Sequence, residues 1–272
     1  MGLEQAKRHI LHFDDVDSEY CLVLVHGGPG LSHHYFFPLI DAVREDVNVI
    51  AYDQGSQLRA STWSVSTLAA ELNSIIVNRC AGKTAVVLGH SFGGAVAIEY
   101  ASTFSSTTPL ILMNWVFDKR WIQIFEENTP NSASITEQLN VSLDRVSSPE
   151  EQFKLRMLAY AEYYFSRPYQ LEGEALFERI AYNPQIEASI GDWYAGQNFE
   201  EKMRNLKGPV LSLSGTEDRV VYPSYNVDAI RHMNRAKHIT VKDAGHFPFV
   251  EKPDDCRITI KNFIQSLDHK GE

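Results

Sequence analysis

The segment Gly89-His90-Ser91-Phe92-Gly93-Gly94 places a serine between two glycines with the spacing G-x-S-x-G. A strand-like apolar run, residues 85–88, precedes it, and helix-forming residues 95–100 follow it. A sharp strand-to-helix turn in that context lifts the serine hydroxyl above a sheet, and its neighbours must lack side chains because strand and helix nearly touch. We therefore predict that Ser91 is a nucleophile. The alternative is an ordinary glycine-rich turn.

A serine hydroxyl needs a base to remove its proton, and the base needs a carboxylate that orients it. In the chain order that accompanies such an elbow, the acid and then the histidine follow the serine. Asp218 comes after the apolar run 210–213, and His246 comes after the run 239–241. We predict Asp218 as the acid and His246 as the base, with Glu217 and Asp243 as competitors for the acid role.

The loop His26-Gly27-Gly28-Pro29-Gly30 follows the strand-like residues 21–25. Acyl transfer develops negative charge on the substrate oxygen, which backbone N–H groups of such a loop can stabilise. We predict the amides of Gly28 and Phe92 as the two donors, with Gly27 in place of Gly28 as a possibility. This chemistry requires no metal and no organic cofactor.

These residues have to be positioned by a sheet. Short, β-branched-rich apolar runs recur along the chain, and longer segments of helical period separate several of them. The runs are residues 22–25, 47–52, 85–88, 110–113, 210–213 and 239–241. Continuous rather than alternating hydrophobicity indicates strands that are covered on both faces, so we predict an α/β fold with a mostly parallel central sheet between two helical layers. A final helix carrying Ile258, Ile260, Phe263, Ile264 and Leu267 is expected to pack on it.

Residues 117–205 interrupt this alternation with no strand-like run. They carry 15 acidic and 9 basic side chains, hence most of the net charge of −10. We predict an inserted helical cap here, with residues 1–116 and 206–272 forming the core. Within it, Ser148-Pro149-Glu150-Glu151 has an N-cap hydroxyl followed by proline at the first helical position, which predicts a helix that runs to about Arg167, before Pro168.

The composition narrows the classes of function. A net charge of −10 argues against a nucleic-acid or anionic lipid surface, so a small molecule or short peptide is the expected partner. The cysteines at 21, 80 and 256 are too few and too far apart for a disulfide framework, and we expect buried thiols. Residues 1–6 lack the features of a signal peptide, and no run reaches about 18 apolar residues, so a cytoplasmic location is expected.

From about residue 20 to its end, the chain resembles the α/β-hydrolase fold through residues 89–94, Asp218, His246 and the loop 26–30. Within that fold, His-Gly-Gly-Pro-Gly followed by Tyr52-Asp53-Gln54 is similar to the proline iminopeptidase group, serine peptidases and amidases that remove an amino-terminal residue. The resemblance implies a substrate with a free amine and cap glutamates that bind it.

The resemblance turns attention to carboxylates in the cap. In the helix predicted from Ser148 to about Arg167, Glu162 lies away from the polar side that contains Tyr163. Glu162, Tyr163 and Gly27 are the candidate substrate contacts, with an ion pair or a rim charge as the alternative for Glu162. For Tyr163, the alternative is packing of its aromatic ring within the cap.

Two other functions remain open. The group's Arg-Gly after Asp53-Gln54 is shortened here to Gly55, and Phe92 stands where many members carry tryptophan. An esterase, lactonase or thioesterase acting on a small acyl substrate would use the same three residues. A ligand receptor on a hydrolase scaffold would bind tightly with negligible turnover.

Overall fold

The computed structural model describes residues 9–56, 63–80, 82–129 and 131–268, except for the side chains of residues 132 and 133. The amino-terminal residues on which the expected location rests lie outside this part of the chain. Within it, no helix is long and apolar enough to span a bilayer. The three cysteines are free thiols and buried, as the sequence predicts.

A seven-stranded sheet forms the centre of the protein, in the order β1-β3-β2-β4-β5-β6-β7. Every neighbouring pair is parallel except β1 and β3, which are antiparallel. The strands are β1 (Ile10–Phe13), β2 (Tyr20–Val25), β3 (Asn48–Tyr52), β4 (Thr84–His90), β5 (Leu110–Met113), β6 (Val210–Gly215) and β7 (Ala236–Val241). The predicted fold class and the six predicted strands are confirmed.

Helices cover both faces of the sheet and fill the interval between β5 and β6. They are α1 (Phe37–Val43), α2 (Val65–Arg79), α3 (Phe92–Thr103), α4 (Arg120–Asn128), α5 (Ser132–Leu143), α6 (Pro149–Ala159), α7 (Ala161–Tyr164), α8 (Gln170–Arg179), α9 (Pro184–Ile190), α10 (Phe199–Arg204), α11 (Pro223–Ala229), α12 (Pro248–Glu251) and α13 (Pro253–Asp268).

Two apolar cores form, one on each face, because successive side chains of a strand point to opposite sides. On β2, Val23 packs in the core that includes α2, α3 and α10, whereas Leu22 and Leu24 pack in the core that includes α1 and α13. The central strands β2 to β6 are buried on both faces over most of their length, which accounts for their continuous apolar runs.

Three details differ from the predictions. Strand β1 was not predicted, because it is a short, partly exposed edge strand without a long apolar run. In α13 the side chain of Ile258 is 56% exposed and Cys256 is buried, whereas the other four predicted residues pack on the core. The helix that begins after Ser148 ends at Ala159, well before Arg167. Its start is as predicted, with the Ser148 hydroxyl accepting a hydrogen bond from the Glu151 amide.

Candidate active site

The sharp turn at Ser91 joins β4 to α3 in the middle of the sheet. Ser91 has a positive φ of 53°, a backbone conformation that non-glycine residues rarely adopt. A Cβ atom at Gly89 would collide with the backbone of Gly93, and one at Gly93 would collide with the carbonyl oxygen of Val25. Both glycines are therefore needed for the close approach of strand and helix, as the sequence analysis anticipated.

Asp218 and His246 lie at the carboxyl ends of β6 and β7, and the structure brings them together. The His246 Nδ1 atom is 2.8 Å from Asp218 Oδ2, and both residues are buried. The amides of Val220 and Val221 donate to Asp218 Oδ1, each at 2.8 Å. Asn114, which the sequence analysis missed, donates to Oδ2 at 2.5 Å. These donors fix the carboxylate in the orientation that holds the imidazole.

The competing carboxylates do not take this position. The side chains of Glu217 and Asp243 are both exposed on the surface. Ser91 and His246 line one cavity of about 240 Å³, and within the described chain no hydrogen bond joins the two side chains. Because Nδ1 is engaged by Asp218, Nε2 is the imidazole nitrogen left for a group in this cavity.

The loop after β2 presents one backbone amide to the site and uses another internally. The Gly27 amide donates to the hydroxyl of Tyr35, so it is not free for a substrate oxygen. The Gly28 amide has no protein acceptor in the described part of the chain. The Phe92 amide opens α3 and so has no intrahelical partner. Gly28 and Phe92 line the same cavity as Ser91, which favours Gly28 over Gly27 as the donor.

Gln54, which follows β3, holds the loop 26–30 through His26, and the preceding residue Asp53 holds His33. The Gln54 amide donates to His26 Nε2 at 2.9 Å, and His26 Nδ1 therefore carries the proton and donates to the Gly27 carbonyl at 2.9 Å. Burial lowers the pKa of His26 to about 4, so its ring is neutral. The Asp53 carboxylate accepts from both the amide and Nδ1 of His33. Gln54 and Asp53 thus have structural roles, Gln54 in the loop 26–30 and Asp53 at His33.

A buried chain of hydrogen bonds connects the loop 26–30 to His246. Gly27 N–H donates to Tyr35 Oη, the Tyr35 hydroxyl donates to His90 Nδ1 at 2.9 Å, and His90 Nε2 donates to the His246 carbonyl at 2.8 Å. Burial lowers the pKa of His90 well below its ordinary value, so the ring is neutral and has one donor and one acceptor nitrogen. The positions of Gly27 and His246 are therefore coupled.

Changing Tyr35 to phenylalanine is expected to break this chain at its centre. It leaves the Gly27 amide and His90 Nδ1 buried without partners, at a cost of about 1–3 kcal/mol for each group. We expect a lower melting temperature and a kcat reduced by about 10-fold through displacement of the donor loop and the base. Tyr182→Phe is the matched control, because the buried Tyr182 hydroxyl bonds the Phe177 carbonyl instead. Equal losses of kcat in both variants would argue against the coupling.

Glu251 connects the loop that carries His246 to the segment after α7. Its carboxylate accepts hydrogen bonds from the Gly245 amide at 2.9 Å and from the amide and hydroxyl of Ser166. The His246 amide also donates to the Tyr164 carbonyl at 2.7 Å. Burial raises the pKa of Glu251, against the effect of these three donors. The backbone at Gly245 and His246 is thus held against residues 164–166.

The structure does not support Glu162 as an amine anchor. Residue Tyr160 leaves the helical path with φ −104° and ψ 8°, so α6 and α7 are two helices with different registers. As a result the Glu162 side chain is exposed. Tyr163 is buried under the Arg219 guanidinium, 5.2 Å from its ring centroid, and neither residue lines the described cavities at Ser91. Gly27, the third candidate, lines the cavity with His246.

Among the described residues that line the cavities at Ser91, the acidic one is Glu187 on α9. Glu187 lines two cavities at Ser91, each of about 240 Å³, and Arg156 lines one of them. The Arg156 guanidinium pairs with Glu187 Oε2, while Oε1 accepts no hydrogen bond within the described chain. Partial burial raises the pKa of Glu187, and Arg156 opposes the shift. Its position after Asn183-Pro184 offers no sequence signal of this role.

The fold agrees with the comparisons to known proteins. Residues 22–257 match the model of the alpha/beta hydrolase family, and the chain belongs to that family. A proline iminopeptidase of Saccharolobus solfataricus is 27% identical over 272 residues, which cover 90% of this chain and 85% of that protein.

Other relatives carry different names. The pimeloyl-[acyl-carrier protein] methyl ester esterase of Xylella fastidiosa is 25% identical over 263 residues, covering 90% of this chain and 95% of that protein. Among solved structures, a thermophilic esterase from Thermogutta terrifontis superposes with a TM-score of 0.73 at 19% identity, covering 94% of this chain and 93% of the other. The family is thus shared by similar proteins that are named for different substrates.

Proposed function

We propose that this chain is a serine hydrolase that forms an acyl-enzyme on Ser91. His246 Nε2 accepts the Ser91 proton as the hydroxyl attacks the substrate carbonyl, and it then donates that proton to the leaving group. Asp218 holds the imidazole through the 2.8 Å hydrogen bond at Nδ1. The amides of Gly28 and Phe92 stabilise the oxyanion. Water then attacks the acyl-enzyme with His246 again as the base.

The substrate we propose is an amide or short peptide with a free amino-terminal residue. The observation that carries this proposal is the Glu187 carboxylate at Ser91, with Oε1 unengaged. An ammonium group taken out of water requires such a partner, and a charge-assisted contact contributes about 1.5–3 kcal/mol. The proline iminopeptidase relatives support the same substrate class. In this proposal residues 117–205 form a cap, since Glu187, Tyr160 and Tyr164 line the cavities over Ser91.

Replacing Glu187 with glutamine is expected to raise KM for aminoacyl arylamides with a free amine by about 10-fold or more, because the charge that holds the ammonium is lost. N-acetylated arylamides have no ammonium group and are expected to react equally well with the unsubstituted enzyme and with Glu187→Gln. Glu162→Gln is the matched control on the exposed surface of the cap and is expected to change neither KM. An unchanged KM of Glu187→Gln for the free-amine substrates would show that Glu187 does not bind the ammonium group.

Hydrolysis of an ester is the second candidate function. It is supported by the methyl ester esterase among the relatives and by the same catalytic residues. Comparing p-nitrophenyl acyl esters with free and N-acetylated aminoacyl arylamides on one preparation separates the two. Preference for free-amine arylamides supports the aminopeptidase, whereas turnover of esters alone supports the esterase. Tight binding of ligands with no turnover would instead support a receptor on this scaffold.

A further inference from the structure

Of the two cavities at Ser91, one is lined by His246, the proposed base, and the other is not. His246 and Phe247 line the first, whereas the second contains Ser91 and Phe92 without His246. The base has to protonate the departing group, so that group must lie on the side of His246. The first cavity is therefore the leaving-group side, and the second is the acyl side. Glu187 lines both, so it can bind an ammonium on the acyl group.

The acyl side adjoins a larger cavity of about 820 Å³ beneath α4 and α5, which we term the outer chamber. Four residues line both the acyl cavity and the chamber: Trp121, Ile122, Tyr164 and Val220. Among the described lining residues, the leaving-group cavity shares only Tyr160 and Tyr164 with the chamber, so the contact with the acyl cavity is the broader one. The acyl cavity alone, at about 240 Å³, is much smaller. A group that outgrows the acyl cavity therefore has a place to extend.

The walls of the outer chamber define which groups suit it. Its lining is rich in apolar and aromatic side chains, including Trp121, Ile122 and Phe125. The ionisable acids among its described lining residues are Glu126 and Glu137, and no basic side chain is among them. Apolar surface is stabilised by leaving water for such walls, and a carboxylate would be repelled by the two glutamates. The chamber suits a bulky apolar group and excludes an anionic one.

We propose that the outer chamber receives the side chain of the residue whose carbonyl is attacked. This rests on the proposed aminopeptidase function and specifies its substrate class. The favoured amino-terminal residue is then large and apolar, such as phenylalanine, tryptophan or leucine, rather than proline or alanine. Glutamyl substrates are disfavoured. Glu187 holds the amine at the acyl cavity while the side chain extends past Trp121 and Tyr164 into the chamber.

The test fills the chamber from its exposed rim. Asn140 lines the chamber from α5, and its side chain is exposed, so Asn140→Trp places an indole there without altering the core. Val141, the next residue, is 52% exposed and does not line the chamber, so Val141→Trp is the matched control. The measurement is kcat/KM for phenylalanyl, leucyl, prolyl, alanyl and glutamyl arylamides with each enzyme.

We expect the unsubstituted enzyme to prefer the phenylalanyl and leucyl substrates over the prolyl and alanyl ones by about 10-fold or more. Asn140→Trp is expected to lower kcat/KM for the two large substrates by about 10-fold and to leave the prolyl value unchanged. Val141→Trp is expected to change none of them. A preference for proline, or equal losses for large and small substrates in Asn140→Trp, would overturn the proposal.

Failure of the proposed function looks different. If no free-amine arylamide is hydrolysed faster than its N-acetylated form, the aminopeptidase function is wrong whatever the chamber does. If free amines are required but the size of the side chain has no effect, the function stands and the chamber proposal is wrong. The two results come from the same set of substrates.

Discussion

Ser91→Ala is expected to lower kcat by about 10⁴-fold or more and to abolish covalent labelling by a fluorophosphonate. Both effects have one cause, because the acyl group and the phosphonate would each be transferred to the Ser91 oxygen. Without it, the cavity can still bind substrate, and donors at Gly28 and Phe92 can still polarise the carbonyl. Residual hydrolysis by water is the expected remainder. Labelling is measured by gel fluorescence, and kcat with the best arylamide or ester substrate.

Ser102→Ala is the control for this variant. Ser102 lies near the end of α3, the helix that begins directly after Ser91, and its hydroxyl donates to the Glu99 carbonyl. Its replacement is expected to preserve both labelling and kcat. Persistent labelling in Ser91→Ala would identify another nucleophile, and the proposed acyl-enzyme on Ser91 would be wrong. Because alanine also has to adopt a positive φ at this turn, the melting temperature of Ser91→Ala is measured alongside.

Asp218→Asn is expected to lower kcat by a similar factor of about 10⁴, with little change in KM. The new amide can keep its oxygen against the Val220 and Val221 amides, so its nitrogen takes the place of Oδ2. That nitrogen is a donor facing His246 Nδ1, which must then give up its proton and accept. The proton moves to Nε2, and the imidazole can no longer take the proton of Ser91.

The neighbouring carboxylates provide matched controls for Asp218. Glu217→Gln and Asp243→Asn remove a negative charge from the same two loops without touching the imidazole, since both side chains are exposed. Each is expected to retain kcat within a few-fold. A large loss in either of them, or a nearly intact kcat in Asp218→Asn, would transfer the acid role to a different residue. Kinetic constants are compared at one pH, because the tautomer of His246 is the property under test.

Residues that act through their own backbone could be predicted from the chain. Gly89 is required by the contact of β4 with α3, and Gly93 by the contact of α3 with the end of β2. A glycine at each side of Ser91 is visible in one sequence. Parallel strands place their carboxyl ends at one edge, so the loops that carry Ser91, Asp218 and His246 could be expected to meet there. Both inferences use general rules of backbone geometry, and the residue pattern to which each rule applies is visible in a single sequence.

Residues that act through distant partners could not be predicted in this way. Tyr35 and Asn114 carry no motif, and they matter because the fold places them against His90 and Asp218. Glu251 follows the base by five positions and acquires its partners from Ser166 and Gly245. Each is a buried polar group whose hydrogen-bond partners come from other segments of the chain, and this pairing is established only when the segments pack.

The helical segment from residue 148 to residue 164 shows most clearly what the tertiary structure decided. Extending one helix from Ser148 through Glu162 assumes a rotation of about 100° per residue, and a single break at Tyr160 invalidates every position beyond it. Glu162 thereby lies at the surface, and Glu187 from α9 lines the cavities at Ser91 instead. The sequence by itself determined the sheet and the turn at Ser91, because hydrophobic patterning and local backbone geometry dictate them. The chain order that accompanies such a turn then indicated Asp218 and His246. Which cap side chains face that serine was decided by how short helices pack, since a small change in helix register redirects every side chain that follows.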